Sequence, residues 1–548
     1  MLKENKFVHI FATLLVALSM ISCAENEDDS VNNTWASTKT IYSASGKLSN
    51  KSVVNENGNI ILVWVEEETE VRADTEKDTS HTFAGTPAAG DSHADIHNHM
   101  NLYSRPIFRA MNYDHSANSW SSANDIATGY WQKSKSGYLN KEDAGDNSKI
   151  IYDEKFDVFS GNFSVSVNAS GSAVFAWIQQ SESSNSTGDS GAGFELKYAT
   201  FSSTNNTWGT PETITLANNT TLINEVASTI DTDGKFRLVW TARENAGDGT
   251  GAKKNLYSIS YDGSAMSIAT LLSDGANNVT NIKLTRRDAS TGVVTWLQPY
   301  DDGTRIRMNL YSLWYSGDSW HSTPSIIGVN TSQINHYQVA SNDNAAVWLA
   351  ASQSDAIGES SSVMAMYEFS GDINSDLTLG SWGTATNIQA GGSLTGLSKA
   401  SVSIDSSANV VVAWLESNTN IRANSYSKSD DTWKNSSFAV TSAKIQEDIV
   451  SMGNDVPSSF SDPVVEALSS DTFLIAWHNW QIGKNKSGEQ IYSLEYQLSL
   501  DNLSKLRKVN TSLEPGLVSR KILSSQSEGQ ILWSATNSDM TEIFLSSP

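Results

Sequence analysis

The sequence predicts an all-β chain made by repetition of one four-stranded antiparallel unit, and three observations carry that prediction. A short apolar run ending in tryptophan occurs eight times, at Trp64, Trp177, Trp240, Trp296, Trp348, Trp414, Trp477 and Trp533. From 177 onward the spacings are 63, 56, 52, 66, 63 and 56 residues, a period that suits four short strands with variable connections. A turn rich in Asn, Asp and Gly precedes the best copies, and a tyrosine-bearing strand and a second tryptophan follow them.

The elements follow in a fixed order. The opening strand alternates, as in Ser164-Val-Ser-Val-Asn168 and Ser401-Val-Ser-Ile-Asp405. The turns Asn55-Glu-Asn-Gly58, Asn168-Ala-Ser-Gly171 and Asp231-Thr-Asp-Gly234 carry residues that tolerate the positive φ of tight hairpins. The tryptophan strand is apolar at consecutive positions, as in Ile60-Ile-Leu-Val-Trp64, so it must be covered on both faces. The third strand carries Tyr103, Tyr198, Tyr257, Tyr311, Tyr367, Tyr426 or Tyr492, and the fourth starts at Trp120, Trp208, Trp320, Trp382 or Trp433.

Four such strands per repeat, stacked face to face around an axis, make a β-propeller. Eight tryptophan hairpins predict eight blades, or seven if the copy at Trp348 or Trp533 is not a blade. The last copy has three strands, and Asn33-Thr-Trp35 with Thr40-Ile41 matches Asn206-Thr-Trp208 and Asp431-Thr-Trp433, so the N-terminal strand is expected to complete the last blade and close the ring. A string of β-sandwich domains would also alternate short strands and turns. The single period, the lack of a Pro-rich linker and the unit split between the two ends count against it.

The first residues read as a targeting segment. Lys3 and Lys6 precede an apolar stretch from Phe7 to Met20, which is short for a membrane-spanning helix, and Met20-Ile-Ser-Cys23 follows. This pattern, holding the only cysteine of the chain, resembles the lipobox of bacterial lipoproteins. The resemblance implies a signal peptide over 1–22, acylation of Cys23, and an outer-membrane location with Ala24 as the sorting residue. An acidic tether would run over 23–33 and a single propeller domain over 34–548. The net charge of −24 argues against nucleic acid or anionic headgroups as partners, because those are held by clustered Lys and Arg. The expected partner is an extracellular glycan or protein, the membrane being met through the lipid alone and the protein being a monomer.

In a four-strand blade, the second-to-third and blade-to-blade connections lie on one side of the disc, and here these are long. They are expected at 67–98, 181–193, 243–253, 352–359 and 480–487, with insertions at about 129–159 and 442–460. Long connections cluster on a face in use, and they also accumulate where insertions are tolerated. Two residues past each tryptophan stand Glu66, Gln179, Gln298, Glu416 and Asn479, with Ala242, Ala350 and Ala535 in the other copies. These polar groups are candidates to hydrogen-bond sugar hydroxyls, or else they end a strand in water.

The first insertion holds His93, Asp95, His97 and His99 at a two-residue period, which an extended strand would place on one side. Imidazole and carboxylate suit Zn²⁺ or Cu²⁺, while residues on one strand cannot all reach one ion, so an acidic, His-flecked loop is the competing expectation. Asp231 and Asp233 are weak Ca²⁺ candidates that the hairpin already explains.

The repeats are similar to those of bacterial sialidase-like β-propeller lipoproteins, over nearly the whole mature chain. The resemblance implies fold and not activity. The family's Asp-box, Ser-x-Asp-x-Gly-x-Thr-Trp, is approached only by Ser228-Thr-Ile-Asp231-Thr-Asp233-Gly234, with the glycine displaced and tryptophan six residues later, and no matched set of arginines accompanies it. Propeller-type polysaccharide lyases use Tyr or His as base with a cation on a uronate carboxylate. His97, His99, Tyr103 and Arg105 lie close enough in sequence to fit that pattern, with Tyr103 also explained as the repeat's own tyrosine. No catalytic set is assigned, and a carbohydrate-active enzyme is the alternative to a binding protein.

Overall fold

The computed structural model describes residues 37–547 apart from connecting segments, the longest being 74–96, 181–193, 245–253, 371–380, 447–458 and 510–518. The chain divides into two compact units, one of residues 41–387 with 536–543, the other of 388–535 with the remaining chain ends. Among the described residues the strands form eight antiparallel sheets, numbered in the chain order of their tryptophans, from Trp64 in sheet one to Trp533 in sheet eight; sheet six comprises Ser401–Ile404, Val410–Leu415, Ile421–Ser427 and Thr432–Trp433. Each repeats one order: an inner strand, the tryptophan strand, a third strand and an outer strand. All eight tryptophans of the predicted period lie on the second strand of their sheet, including the weak copies in Val347–Ser354 and Ile531–Thr536. The eighth sheet consists of Ser519–Ser525, Ile531–Thr536 and Thr541–Ser547, with Ser37–Ala44 hydrogen-bonded to the last of these as its fourth strand. Among the described residues no helix is long and apolar enough to cross a membrane.

The tryptophan strand is buried on both faces because it is covered by sheets on both sides. In sheet one, Ile61, Val63 and Val65 pack on Val165, Phe175 and Trp177 of sheet two. In sheet two, Val174, Ala176 and Ile178 point the other way and pack on Leu238 and Trp240 of sheet three. The pattern recurs from sheet three to four and four to five, and in the other unit from sheet six to seven. Trp64, Trp177, Trp296, Trp414 and Trp477 are fully buried. Each indole buries on the order of 150–250 Å², a gross transfer gain on the order of 4–6 kcal/mol.

The inner and outer edges are managed differently. Inner strands sit side by side, and serines of one satisfy the backbone of the next. Ser164 Oγ accepts from Ser228 N at 3.0 Å, Ser401 Oγ from Val465 N at 2.9 Å and Ser403 Oγ from Ala467 N at 3.0 Å. A small hydroxyl at alternate positions thus stands in for a ladder partner that an edge strand lacks. In five sheets the outer strand is short: Ser119–Trp120, Thr207–Trp208, Ser319–Trp320, Ser381–Trp382 and Thr432–Trp433 have two residues each, and so offer little template for further pairing. Their tryptophans face Tyr113, Phe201, Tyr315, Phe369 and Tyr426 of the third strand, at ring separations of 5.1–5.6 Å. Trp320 and Trp382 also donate their indole N–H to Ser258 and Ser312 of the preceding sheet.

The turn residues act as predicted. Asn168, Asp231 and Asp405 each accept two backbone N–H groups of their own turn through Oδ1. An amide serves as well as a carboxylate here, so the aspartates are turn formers. Gly171 and Gly234 take φ of 83° and 82°, and Ala408 holds the equivalent position in sheet six at φ 63°.

Two expectations are corrected. Of the stretches read as loops at 67–98, 129–159 and 480–487, the described residues are in large part strand: Asn59–Ala73, His97–Asp114, Gln132–Asn140 and Ile151–Lys155 in sheet one, and Thr472–Ile482 with Ser487–Gln497 in sheet seven, while 74–96, 141–145, 156–159 and 483–486 lie outside the described residues. Their polar composition hid them, because a strand pair standing clear of the core has no apolar face to show. Nor are the tyrosines of the third strand equivalent. Tyr257, Tyr311 and Tyr492 stand directly opposite their tryptophans, but Tyr198, Tyr367 and Tyr426 stand opposite Ala176, Leu349 and Val410, and Tyr103 opposite Glu70.

Candidate functional site

Residues two apart on a strand share a face, so the residue two past each tryptophan lies beside the indole. Trp64 Nε1 donates to Glu66 Oε1 at 2.9 Å, Trp177 Nε1 to Gln179 Oε1 at 2.9 Å and Trp296 Nε1 to Gln298 Oε1 at 3.0 Å. Gln179 and Gln298 are buried, and each answers a buried donor that would otherwise cost about 1–3 kcal/mol. The backbone of Asn479 pairs with Phe460 and Gln490. Glu416 behaves differently: its Oε2 accepts from Asn420 Nδ2 at 2.6 Å.

The residue directly across from the tryptophan sorts six of the sheets into two kinds, while in sheet five it is Glu368. In sheets three, four and seven it is tyrosine, stacked on the indole at 5.8, 5.8 and 6.1 Å. In sheets one, two and six it is a cation: Arg109, Lys197 and Arg422. In sheets one and six the residue two past the tryptophan is a glutamate, so a Trp–Glu–Arg set occurs twice, once in each compact unit.

In sheet one this set is closed. Glu66 Oε2 lies 3.2 Å from Arg109 Nη1, and Arg109 Nε lies 2.8 Å from Asp125 Oδ1. Tyr42, from the fourth strand of sheet eight, donates its hydroxyl to Glu66, accepts from Arg109 Nη1 at 2.8 Å, and sets its ring 4.6 Å from that of Trp64. Burial, and then the hydrogen bond and charge of Glu66, push the Tyr42 hydroxyl up to about 12. Burial alone would lower the Arg109 guanidinium, but the Tyr42 contact and the Glu66 and Asp125 carboxylates leave it raised.

The same face continues outward along the extended hairpin. Glu68, Glu70 and Arg72 alternate down one strand opposite Arg105, Tyr103 and Asn101 of the other. Arg105 Nε bonds Glu68 Oε2 at 2.6 Å and Arg72 Nη2 bonds Glu70 Oε2 at 2.9 Å. Trp131, at the entry to Gln132–Asn140, lies 4.5 Å from the Arg105 guanidinium and 5.0 Å from that of Arg72, which also lies 4.7 Å from the Tyr103 ring. The adjacent Tyr130 reaches Lys197 of sheet two at 5.9 Å. The arginine and glutamate side chains are 30–50% exposed, so guanidinium, carboxylate and aromatic surfaces meet solvent together in an array whose ion pairs alone contribute little. Sequence reasoning marked Tyr103, Arg105 and Glu66 but missed Glu68, Glu70, Arg72, Arg109 and Trp131. The signal was the alternation Glu66-x-Glu68-x-Glu70-x-Arg72, a strand period read as loop.

Of the proposed metal set, His93 and Asp95 lie outside the described residues, and the backbones of His97 and His99 pair with Asn140 and Tyr138. Among the described residues no group of His, Cys, Asp and Glu is arranged to hold an ion. Cys23 also lies outside them.

No protein-family model matches the sequence, and no curated protein matches it. Among solved structures the chain is similar to a mutant of NanB sialidase from Streptococcus pneumoniae, with 9% identity, TM-score 0.33 and 93% of each chain covered. It is similar also to the intramolecular trans-sialidase from Ruminococcus gnavus, with 10% identity, TM-score 0.31, and 70% of this chain and 94% of that one covered. A mutant of Aleuria aurantia lectin follows at 11% identity and TM-score 0.27, covering 64% of this chain and 97% of the lectin. Two of these neighbours are sialidases and one is a lectin, and likenesses this distant say nothing of substrate or activity.

Proposed function

We propose that this chain is a lipid-anchored cell-envelope β-propeller that binds a glycan, without catalysis, at the exposed array of sheet one. The observation that carries the reading is the ladder of Tyr103, Arg72, Trp131 and Arg105 flanked by Glu68 and Glu70. Hydroxyl-rich ligands need donors and acceptors fixed in space beside apolar ring faces, and this array offers all three on a rigid sheet. In this reading the eight sheets close into one ring, which the common strand order and the pairing of Ser37–Ala44 with Thr541–Ser547 support. The anchor is an acylated Cys23, supported by the lipobox pattern, with the protein monomeric in the outer membrane.

A glycan array probed with the purified full chain tests the reading. Binding should weaken tenfold or more in R105A and W131A, with no release of reducing ends. Product formation would replace the binding protein by the carbohydrate-active enzyme, and retention of a protein ligand alone would replace the glycan. A Cys23→Ala variant should lose lipid labelling, and continued labelling would refute the anchor.

A further inference from the structure

The Trp–Glu–Arg set of sheet six has the same strand positions as that of sheet one and a different hydrogen-bond state. Trp414 is fully buried, and its indole Nε1 has no hydrogen-bond partner among the described residues. Glu416 stands two residues on, the offset that brings Glu66 Oε1 to Trp64 Nε1 at 2.9 Å. Its carboxylate is instead drawn to Asn420, 2.6 Å from Oε2. Glu416 Oε1 has Arg422 Nε at 3.9 Å, beyond hydrogen-bond length. Arg422 itself is turned away, with Nε to Ser437 Oγ at 3.0 Å and Nη2 to the Ser437 carbonyl at 2.7 Å. No tyrosine corresponding to Tyr42 touches Trp414 among the described residues.

The set therefore presents one unanswered donor, Trp414 Nε1, and one unanswered acceptor, Glu416 Oε1. A hydroxyl oxygen accepts one hydrogen bond and donates another, so it answers both, whereas an anion would meet the Glu416 carboxylate. The Glu416 and Arg422 side chains are 17% and 22% exposed, so the carboxylate end of the set meets solvent while the indole is fully buried. We propose that Trp414, Glu416, Asn420 and Arg422 form a second saccharide subsite, which takes one hydroxyl of a neutral sugar between Trp414 Nε1 and Glu416 Oε1. This rests on the glycan reading of sheet one. Asn420 holds the subsite open by keeping Glu416 off the indole.

Indole ¹H–¹⁵N spectra of the full chain labelled with ¹⁵N-tryptophan, with Trp414 assigned through W414F, test this on titration with xylohexaose, mannohexaose and laminarihexaose. With at least one of them the Trp414 resonance should shift downfield saturably. R105A should leave that shift in place and E416A should remove it. N420A should shift the resonance without ligand, as Glu416 closes onto the indole, and should weaken the ligand response tenfold or more. The N420A arm holds even if E416A fails to fold. A Trp131 resonance that responds while that of Trp414 stays silent overturns the subsite and leaves the glycan reading standing. Silence of both to all three sugars overturns both. A cross-peak from Trp414 Nε1–H to a bound water that persists at saturating sugar also overturns the subsite, water being the other occupant of this chemistry.

Discussion

Sheets one and six place tryptophan, glutamate and arginine at the same three positions and reach opposite outcomes. Around Trp64 the indole is answered by Glu66 and the carboxylate by Arg109 and Tyr42, while the arginine is ion-paired with Asp125 although its buried Nε makes no hydrogen bond. Around Trp414 the carboxylate has gone to Asn420 and the arginine to Ser437, and the indole is left over. The difference lies in what each sheet receives from elsewhere in the chain. Tyr42 arrives at sheet one from 24 residues upstream of Glu66, while sheet six uses a local partner four residues from Glu416. Identical residue types on identical strand positions thus yield either a closed structural cluster or an open one, according to which third group competes for the carboxylate.

Removing the carboxylates gives the largest expected contrast. E66A removes the acceptor of the Tyr42 hydroxyl and the Trp64 N–H and one of the two carboxylates beside Arg109, and should lower stability by about 2–4 kcal/mol. E416A removes a group that answers only Asn420 and should cost about 1 kcal/mol or less. Urea unfolding of the two variants measures the gap, and equal losses would break the comparison.

A finer test exchanges the indoles. W64F and W414F create similar cavities, but only W64F deletes a made hydrogen bond, so it should be about 1 kcal/mol more destabilising. A larger loss at Trp414 would mean that its N–H has a partner of its own.

Sheet six also carries a backbone cost. Ala408 sits at φ 63° where sheets two and three have Gly171 and Gly234, so A408G should raise the melting midpoint through about 1 kcal/mol of relieved strain. No change on substitution would show the turn to be relaxed.

The smallest effect is alkaline. The Tyr42 hydroxyl is held up to about 12 against its ordinary 10. Between these values the unfolded chain releases the proton first and the folded chain keeps it, so the contribution is full below pH 10 and is lost as pH rises through 12. Y42F should flatten the stability profile across that window, and an unchanged slope would remove Tyr42 from the cluster.

Much of the architecture was legible because burial on both faces forces consecutive apolar residues and tight hairpins demand Asn, Asp or Gly. Trp64, Trp177 and their fellows could be placed on second strands, and Ser37–Ala44 could be assigned to the last sheet, from those rules alone. The polar strands of sheet one were not legible. Glu68, Glu70, Arg72 and Arg105 satisfy one another across strands, and such pairing leaves the same composition as a loop. Tyr103 was misread for a related reason, since sequence aligns tyrosines by rank along a strand while register is set by the cross-strand partner.

What the sequence determined by itself was the repeated four-strand unit, its turns and its buried indoles, because these follow from local propensity and hydrophobic period. Only the tertiary structure decided which carboxylate meets which donor. Glu66 and Glu416 are equivalent in sequence, and their hydrogen bonds differ because Tyr42 reaches one and Asn420 the other, a competition settled by distance across the fold.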